Sequence, residues 1–362
     1  MPFRWRLLLL AACHGCPEGP EAKECLRREL SGEARPRLRC RKLRKPPKDF
    51  DAFFSQVLSQ GQPVILENAS AIFGQEVQRW MNVSYFVEKF GQLRFRTSFF
   101  NAAKNRTGQG FRTSAGEGVD RFGLTPINGG KGLLFPHVGQ MDLAGVLSNR
   151  DPARMMFVEE GKLFAEEEGR RYVNYPELLD HWTKPPFLGP LQPAEVNLWA
   201  GGVLADRPKE SPLHHDPFEN IMLQLAGRKT FIMVSAVDTP KLYPSLMQGF
   251  RAPAPEDLHT QVKAVDAEDL MDNFSPVDPL RPDFKRFPDF KKVNPLTCTL
   301  KAGEALFMPS FTWHNVLSYG DDDKVNLGLN VWLPGDRAVS DLMNNLMRTL
   351  VVRRETERTD EL

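Results

Sequence analysis

The chain has 362 residues, of which 41 % are hydrophobic, and this is enough to bury a sizeable core in one large domain. Lys and Arg together number 47 while Asp and Glu number 46, so the net charge of +1 gives the molecule no electrostatic reason to bind nucleic acid. The charge is nevertheless uneven, because the segment RPRLRCRKLRK is strongly basic. Such a segment is more often a solvated tail than a nucleic-acid contact, and we expect no nucleic-acid partner.

The first 19 residues have the layout of a secretory signal peptide. Arg4 and Arg6 precede a short apolar run, LLLLAAC, and small residues follow it. Residues 20–47 are charged and poor in apolar periodicity, which predicts a basic arm. No other apolar run is long enough to span a bilayer, so we expect no membrane span once the signal is removed.

Residues 336–362 predict a C-terminal helix and a retrieval-like tail. Leu342, Met343, Leu346 and Leu350 fall on one helical stripe, which packs on its own domain or pairs two copies of the chain as a homodimer. The final TDEL resembles the tetrapeptide that returns proteins to the endoplasmic reticulum, with Thr in the first place. Both ends together predict residence in the lumen of the endoplasmic reticulum, with the cytoplasm as the alternative.

Four Asn-x-Ser/Thr sequons give modest support to the secretory route. They begin at Asn68, Asn82, Asn105 and Asn273. Asn105 lies in a Gly-rich stretch and Asn273 in a Pro-rich insertion, and we expect these two to be the most exposed.

The cysteines exclude a disulfide scaffold. If two of the five leave with the signal, Cys25, Cys40 and Cys298 remain, and one thiol is odd. A bridge between Cys25 and Cys40 is one expectation in an oxidising compartment.

A folded domain is predicted from residue 48 to residue 335. Residues 49–60 have the periodicity of an amphipathic helix, GQPVIL after them reads as a buried strand, and another helix is predicted around residues 84–91. Residues 101–132 are rich in Gly, Asn, Arg and Thr, and we expect an excursion or mobile loop there.

From residue 194 onward, short β segments follow one another. They are EVNLWAGG, NIMLQLAGRKTFIMVSA, LTCTLKAGEALFMP, WHNVLS and VNLGLNVWL, with Gly227 and Gly303 at the expected hairpin turns. Strands at this spacing predict a sandwich or barrel. Residues 251–295 are dense in Pro and Asp, and they form either a surface insertion or a wall of the active site.

Three potential metal ligands lie side by side in SPLHHDPFEN. Side chains of a strand alternate between its faces, so His214 and Asp216 point one way while His215 points the other. One further imidazole would complete a facial triad of two histidines and a carboxylate, the ligand set typical of non-haem Fe(II) oxygenases.

His314 is the candidate for the third ligand, because it follows a predicted strand within the same β-rich region. His137 and His181 lie before that region and His259 lies in the Pro-rich insertion, so we interpret these three as ordinary histidines. The sequence therefore predicts that His214, Asp216 and His314 bind one Fe(II) and carry catalysis.

Several motifs together resemble those of JmjC-domain oxygenases of the small hydroxylase type, similar to the factor-inhibiting-HIF enzymes and to JmjC lysyl hydroxylases. They are QPVIL, NLW, HHDPFENIMLQLAGRKTF, SPVDPLRPDFKRFP, CTLKAGEALFMPSFTWHNV and NVW, spread over residues 48–335. The resemblance implies a mainly β fold, a double-stranded β-helix of the jelly-roll or cupin type with flanking N- and C-terminal helices. It also implies Fe(II) as the metal and 2-oxoglutarate as the cosubstrate.

The resemblance further assigns a pocket for the cosubstrate. Lys229 stands at the offset from His214 at which the family places the lysine that binds the far carboxylate, and the alternative is an exposed hairpin lysine. Ser211, Asn220 and Asn330 match positions that line this pocket, although each could be an ordinary strand-end polar residue.

One position departs from the family. Members often place a tyrosine hydroxyl on the far carboxylate, and the best match here is Phe157 in MMFVEEG. Tyr172 or Tyr175 could substitute for it.

The function implied is hydroxylation of a side chain in a protein or peptide substrate, with lysine as the first expectation. The alternative is a cupin-like lumenal binding or scaffold protein that has lost turnover. A zinc hydrolase is a weaker option, since no HExxH helix supplies a general base, although Glu219 lies close to the metal ligands.

Overall fold

The computed structural model describes residues 38–101, 125–127, 132–151, 154–167, 169–203, 208–252, 263–264, 270–335 and 340–350. The predicted signal, most of the basic arm, His259, Asn105 and the TDEL tail lie outside these residues. Within them, no helix combines the length and apolar character needed to cross a membrane.

The described residues form twenty strands. In chain order they are β1 (Leu38–Arg39), β2 (Arg41–Leu43), β3 (Val64–Leu66), β4 (Arg94–Asn101), β5 (Thr125–Ile127), β6 (Gly132–Phe135), β7 (His137–Asp142), β8 (Arg154–Glu167), β9 (Arg170–Val173), β10 (Glu195–Gly202), β11 (Lys209–His214), β12 (Glu219–Ala226), β13 (Arg228–Val234), β14 (Met247–Arg251), β15 (Lys263–Ala264), β16 (Leu270–Met271), β17 (Leu296–Lys301), β18 (Ala305–Met308), β19 (Trp313–Tyr319) and β20 (Val325–Leu333).

Short helices flank the strands. They are α1 (Phe50–Gln56), α2 (Gln75–Arg79), α3 (Val83–Phe90), α4 (Leu143–Ser148), α5 (Pro176–Leu179) and α6 (340–350). Single 3₁₀ turns occupy Leu58–Gln60, Ser70–Phe73, Pro186–Leu188, Ala236–Lys241 and Pro288–Lys292.

The strands make three sheets. A major sheet has ten strands in the order β2-β3-β18-β12-β20-β10-β8-β4-β7, with β9 paired to β8. A minor sheet has the order β1-β17-β13-β19-β11, and a third sheet joins β15, β14, β6 and β5, with β16 paired to β14. Strands β10 to β13 alternate between the major and minor sheets, and so do β17 to β20. This alternation is that of a double-stranded β-helix, which confirms the predicted fold class.

The strand β20 shows why the major sheet is buried on both faces. All nine of its residues are buried. Leu329 and Val331 belong to the large core between this sheet and the helices, whereas Asn330 faces the other way, towards the minor sheet. The sheet therefore separates an apolar outer core from an inner space that contains polar groups.

Both predicted N-terminal helices are present, and α3 matches the predicted residues 84–91 closely, whereas α1 is shorter than the predicted residues 49–60. The Asp49 side chain accepts a hydrogen bond from the Ala52 N–H, 2.9 Å away, and so begins α1. The helix ends at Gln56, and a 3₁₀ turn at Leu58–Gln60 follows it. Gly61, with φ of 56°, caps that turn. On its inner side Phe53 contacts Phe187, with ring centroids 4.8 Å apart.

Both predicted hairpin glycines are at turns. Gly227 has φ of 68° and Gly303 has φ of 86°, a region in which side-chain-bearing residues are strained. At Gly227 a Cβ would also collide with the carbonyl oxygens of Tyr319 and Val325. The two turns carry the chain from one sheet to the other, from β12 to β13 and from β17 to β18, so the flanking strands do not pair as hairpins.

The end of the basic segment is part of the sheets. β1 pairs with β17 in the minor sheet and β2 pairs with β3 in the major sheet, so residues 38–43 do not form an arm. Between them Cys40 forms a disulfide with Cys298, their Cα atoms lying 5.0 Å apart. The expected bridge between Cys25 and Cys40 is therefore wrong, because strand pairing brings a cysteine 258 positions away into contact with Cys40.

The C-terminal helix packs on its own domain. Met347 is 2 % exposed and contacts a cluster that includes Leu213 and Trp313, and Met343 is also buried. Leu342 is 67 % exposed, so this residue of the predicted stripe does not pack on the domain. The buried stripe runs through residues four apart, as α-helix geometry requires. Pairing of two copies through this helix stays a prediction.

The Cys40–Cys298 bridge should stabilise the domain. Replacing both cysteines by Ala should lower the free energy of unfolding by about 2–5 kcal/mol, because the bridge closes a long loop in the unfolded chain. Urea denaturation measures this difference. Reductant should destabilise the native protein and leave the double variant unchanged, whereas equal stability of both proteins would contradict a structural bridge.

Candidate metal centre

The metal ligands are positioned by a register shift between β11 and β19. Ser211 is opposite Val316, but His214 is opposite His314. Between these two pairs β11 advances by three residues, whereas β19 advances by two. The extra residue is a β-bulge, and it turns His214 to the face on which His314 lies. Two strands that are far apart in sequence thus present their imidazoles to one point.

Backbone carbonyls orient both rings. The Nδ1–H of His214 donates to the carbonyl of Pro212 at 2.7 Å, and the Nδ1–H of His314 donates to the carbonyl of Thr312 at 2.9 Å. Since a carbonyl can only accept, each ring carries its proton on Nδ1 and leaves the Nε2 lone pair free. This is the tautomer that a metal ligand requires.

The three predicted ligands lie together. The ring centroids of His214 and His314 are 4.2 Å apart, and the Nε2 atom of His314 lies 3.6 Å from the Oδ2 atom of Asp216. One ligand atom from each residue lies within 4.8 Å of the other two. The group therefore has the composition and spacing of a two-histidine, one-carboxylate site for a divalent ion.

Burial sets the protonation of these groups. It lowers the pKa of His214 and of His314 to about 4, so both imidazoles are neutral at pH 7. It also raises the pKa of Asp216, while the His314 side chain opposes this rise. A desolvated carboxylate beside two neutral imidazoles favours a cation, and these donors fit Fe(II).

His215 lies on the opposite face, as strand alternation predicts. Its ring packs edge-on against Trp313, with centroids 4.6 Å apart, and also contacts Phe311. It is 5 % exposed, and burial lowers its pKa to about 3. His215 therefore belongs to an aromatic cluster behind the metal ligands.

The two other histidines within the described residues lie elsewhere. His137 is on β7, where it contacts Phe99, and His181 lies against Trp80 and Phe90. Neither is part of the ligand group.

The Pro-rich insertion forms a wall of the site. Phe274 makes a β-bridge with His214, and its ring stacks on the imidazole with centroids 5.4 Å apart. Asn273 holds this contact in place, because its Nδ2 donates to the carbonyl of His215 at 2.9 Å and its carbonyl accepts from the His215 N–H. Asn273 is thus partly buried and bonded, so its expected exposure is wrong.

Lys229 extends into the inner space between the sheets. It is 2 % exposed, and its Nζ donates to the Oγ of Ser318 at 2.8 Å. Burial, and then the positive charge of Lys209, lower its pKa to about 7. Lys229 is therefore not the exposed hairpin lysine that was its alternative interpretation.

The other predicted pocket residues face the same space. The Asn330 Oδ1 accepts from the indole N–H of Trp199 at 2.9 Å, and the Asn330 Nδ2 donates to the Asn220 Oδ1 at 3.3 Å. Ser211 lies across from them on β11 and accepts from the Nζ of Lys209 at 2.7 Å. The structure thus places Lys229, Ser211, Asn220 and Asn330 on the inner faces of the two sheets.

The predicted substitutes for the missing tyrosine do not reach this space. Tyr172 is 47 % exposed on the edge strand β9. The Tyr175 hydroxyl donates to the Arg94 carbonyl at 3.0 Å, on the helix side of the major sheet. Phe157 itself lies inside, 0 % exposed, with the Lys229 Nζ 5.4 Å from its ring centroid. The pocket therefore has no tyrosine hydroxyl from these residues.

Two acidic residues of the site are absent from the sequence-based prediction. β8 bulges opposite Trp199, since Val158 pairs with Ala200 but Gly161 pairs with Leu198, and two residues, Glu159 and Glu160, therefore lie opposite one. Alternation from Phe157 indicates that Glu159 faces inward, and this signal was available in MMFVEEG. A bulge cannot be read from one sequence, so Glu160 gave no such signal.

Glu160 adopts a strained backbone at this bulge. Its φ is 49°, a left-handed value that costs roughly 1–3 kcal/mol in a residue with a side chain and occurs mostly at functional sites. Part of the residue is exposed to solvent. Desolvation of its carboxyl group, and then the charges of Asp216 and Glu159, raise its pKa to about 7. Glu160 is thus a carboxyl group at the metal side of the inner space.

Comparison with known proteins agrees with this geometry. The family of proteins with a cupin-like domain matches residues 50–335. The chain belongs to this family. The cupin-like domain also has JmjC-type relatives, which confirms the resemblance found in its motifs.

Three relatives illustrate the similarity. The chain is 34 % identical over 128 residues to human bifunctional peptidase and (3S)-lysyl hydroxylase JMJD7, covering 34 % of the chain and 38 % of that protein. It is 33 % identical over 140 residues to human HSPB1-associated protein 1, covering 38 % and 23 %. It is 29 % identical over 175 residues to zebrafish lysine-specific demethylase 8, covering 45 % and 36 %. The chain thus matches well under half the length of these relatives.

Removing one predicted ligand should abolish metal binding. In His214→Ala, Asp216→Ala and His314→Ala, the affinity for Fe(II) should fall more than about 100-fold. Loss of a residue that only hydrogen-bonds to a metal ligand already lowers metal affinity or activity by roughly 10–100-fold. Metal content after dialysis measures this. His215→Phe, which keeps an aromatic ring against Trp313, should retain iron; loss of iron there with retention in His214→Ala would reverse the assignment.

Proposed function

We propose that this cupin-like protein is an Fe(II)- and 2-oxoglutarate-dependent oxygenase that hydroxylates a side chain of a protein or peptide. The observation that carries the proposal is the proximity of three ligand atoms, from His214, Asp216 and His314, in an inner space that also buries Lys229. A metal triad and a buried cation that face the same inner space match the two ends of a 2-oxo dicarboxylic acid.

Each of these groups has a definite task. His214, Asp216 and His314 would hold Fe(II), and three ligands on one side leave the other side for cosubstrate and oxygen. An Fe(II) ion held there would activate oxygen, so that one oxygen atom ends in succinate, formed from 2-oxoglutarate with release of carbon dioxide, and the other in the hydroxyl group of the substrate. Lys229 would bind the far carboxylate, whose burial without a cation would be costly.

The surroundings of the triad support chemistry in a dry site. Phe231 and Met233 line the same face of the minor sheet as Lys229, and Met222 faces them from the major sheet. Phe274 covers one side of His214. Apolar walls keep bulk water from the reacting groups and strengthen the electrostatic contacts within the cavity.

The position of Glu160 favours a substrate with a basic side chain. The Glu160 carboxyl group is open to solvent and is close enough to Asp216 for that charge to raise its pKa. A cation entering towards the metal would pair with Glu160 and offset this repulsion. One relative is named a (3S)-lysyl hydroxylase and another a lysine-specific demethylase, so lysine remains the first candidate for the modified residue.

A binding protein without turnover is the second candidate. The observation in its favour is Phe157, which provides no hydroxyl where family members often place a tyrosine. A zinc hydrolase has less support, because Glu219 alternates with the inward-facing Asn220 and accepts a hydrogen bond from Ser310.

Product analysis tests the proposal. Purified protein with Fe(II), 2-oxoglutarate and a library of lysine-containing peptides should release succinate and give products heavier by about 16 Da, the mass of one inserted oxygen. Asp216→Ala should abolish both signals. Peptide binding without succinate release or a mass change would instead favour the binding protein.

We also propose that the protein resides in the lumen of the endoplasmic reticulum. The Cys40–Cys298 disulfide supports this, since such bonds persist in oxidising compartments. Asn82 and Ser84 of one sequon are both exposed, so this site is accessible to glycosylation. The signal-like start and the TDEL end of the chain agree with that route.

A glycosylation test follows. The protein should show a glycosidase-sensitive mass that decreases in Ser84→Ala, a variant that removes the sequon but keeps the Asn82 cap on α3. Deletion of the last four residues should cause secretion, because retrieval requires them. An unglycosylated chain that keeps Met1 and fractionates with cytosol would contradict lumenal residence.

A further inference from the structure

A second lysine is buried beside Lys229. Ser318 on β19 is the register partner of Lys209 on β11 and also of Lys229 on β13, so the three residues form one row across the minor sheet. Each of the two lysines is only 2 % exposed. The row lies four residues along β19 from His314, which is roughly 13 Å at 3.3 Å per residue.

One carboxylate accompanies the two lysines. The Nζ of Lys209 lies 2.5 Å from the Oε1 of Glu159 and 2.7 Å from the Oγ of Ser211. The Oε2 of Glu159 accepts from the Ser98 hydroxyl at 2.8 Å. Within the described part of the chain, Lys229 is bonded to a hydroxyl and pairs with no carboxylate. With both lysines protonated, the cluster carries one more positive than negative charge.

Phe157 lies close to both ammonium groups. The Nζ of Lys209 is 5.5 Å from the centroid of its ring, and the Nζ of Lys229 is 5.4 Å from it. The ring attracts both cations through its π face but carries no full charge and accepts no strong hydrogen bond. A buried surplus of positive charge next to such a ring calls for an anion.

We propose that Lys209 is a second cation for the far carboxylate of the cosubstrate and replaces the tyrosine hydroxyl missing at Phe157. The inference rests on the proposed function and assigns a further residue to its pocket. Glu159 is the positioning residue: it neutralises Lys209 when the pocket holds no second carboxylate, and it competes with the cosubstrate when one is present.

This arrangement predicts effects of opposite sign for the two members of the pair. Glu159→Gln removes the competing charge and should strengthen binding of 2-oxoglutarate. Adding Lys209→Met to Glu159→Gln should weaken binding at least about tenfold relative to Glu159→Gln alone, because a charge-assisted contact is lost. Comparison within the Glu159→Gln background avoids the unpaired Glu159 carboxylate that Lys209→Met alone would leave.

Calorimetric titration of the Mn(II)-loaded full chain tests the inference without relying on turnover. The probes are 2-oxoglutarate and 2-oxopentanoate, which has the same five carbons but lacks the far carboxylate. Adding Lys209→Met to Glu159→Gln should lower the affinity for 2-oxoglutarate but not the affinity for 2-oxopentanoate. Lys229→Met should also lose affinity for 2-oxoglutarate, while Lys48→Met, which alters an exposed lysine, should change nothing. Metal content and thermal melting show that each variant is folded and loaded.

The possible outcomes separate the two proposals. Equal affinity of Glu159→Gln and the double variant for 2-oxoglutarate would make Lys209 a structural residue, and so would an equal loss for both acids. If the native protein retains Mn(II) but binds no 2-oxoglutarate, the proposed function fails and the role of Lys209 fails with it. If native binding depends on Lys229 but not on Lys209, only the present inference fails.

Discussion

The register between β11 and β19 is the constraint on which the site depends. Before the bulge, alternate residues of β11 place Lys209 and Ser211 on the inner face; after it, the extra residue keeps His214 on that same face. Without the bulge, a strand that directs Lys209 inward would direct His214 outward. One local irregularity thus aligns a cation and a metal ligand along a single strand.

The same inner space requires polar groups in an otherwise apolar barrel. The indole N–H of Trp199 donates to Asn330, and the Asn330 amide donates in turn to Asn220. These groups therefore satisfy much of their hydrogen-bonding capacity within the protein. The row of Lys209 and Lys229 is different, because a positive charge is left over once Glu159 is counted. The first arrangement rigidifies the fold, while the second prepares it for a charged ligand.

Sequence reasoning succeeded where local geometry decides the outcome. Alternation along a strand separates His214 from His215, and glycines locate the turns at Gly227 and Gly303, although these turns join strands of different sheets. The spacing of the short β segments predicted a sandwich or barrel, and the resemblance carried by the motifs implied the double-stranded β-helix. The helix bounds were less accurate, since α1 gives way to a 3₁₀ turn before its apolar pattern ends.

It failed where distant parts of the chain meet or where a strand is irregular. No spacing rule connects Cys40 with Cys298, and no pattern predicts that Tyr175 turns its hydroxyl to Arg94. Lys209 could have been found, because it stands two residues before Ser211 on the same face. Its significance depends on Glu159 and Phe157, which lie on a strand of the other sheet.

The long separation of the two bridged cysteines affects how the protein is made. During synthesis at about 5–20 residues per second, Cys40 emerges some tens of seconds before Cys298 is available. Throughout that interval Cys25 is a neighbour only 15 positions away, and a non-native bridge between the two can form first. In the proposed lumenal compartment, native pairing would then require thiol exchange after β17 has joined the sheet, a reaction that disulfide isomerases catalyse.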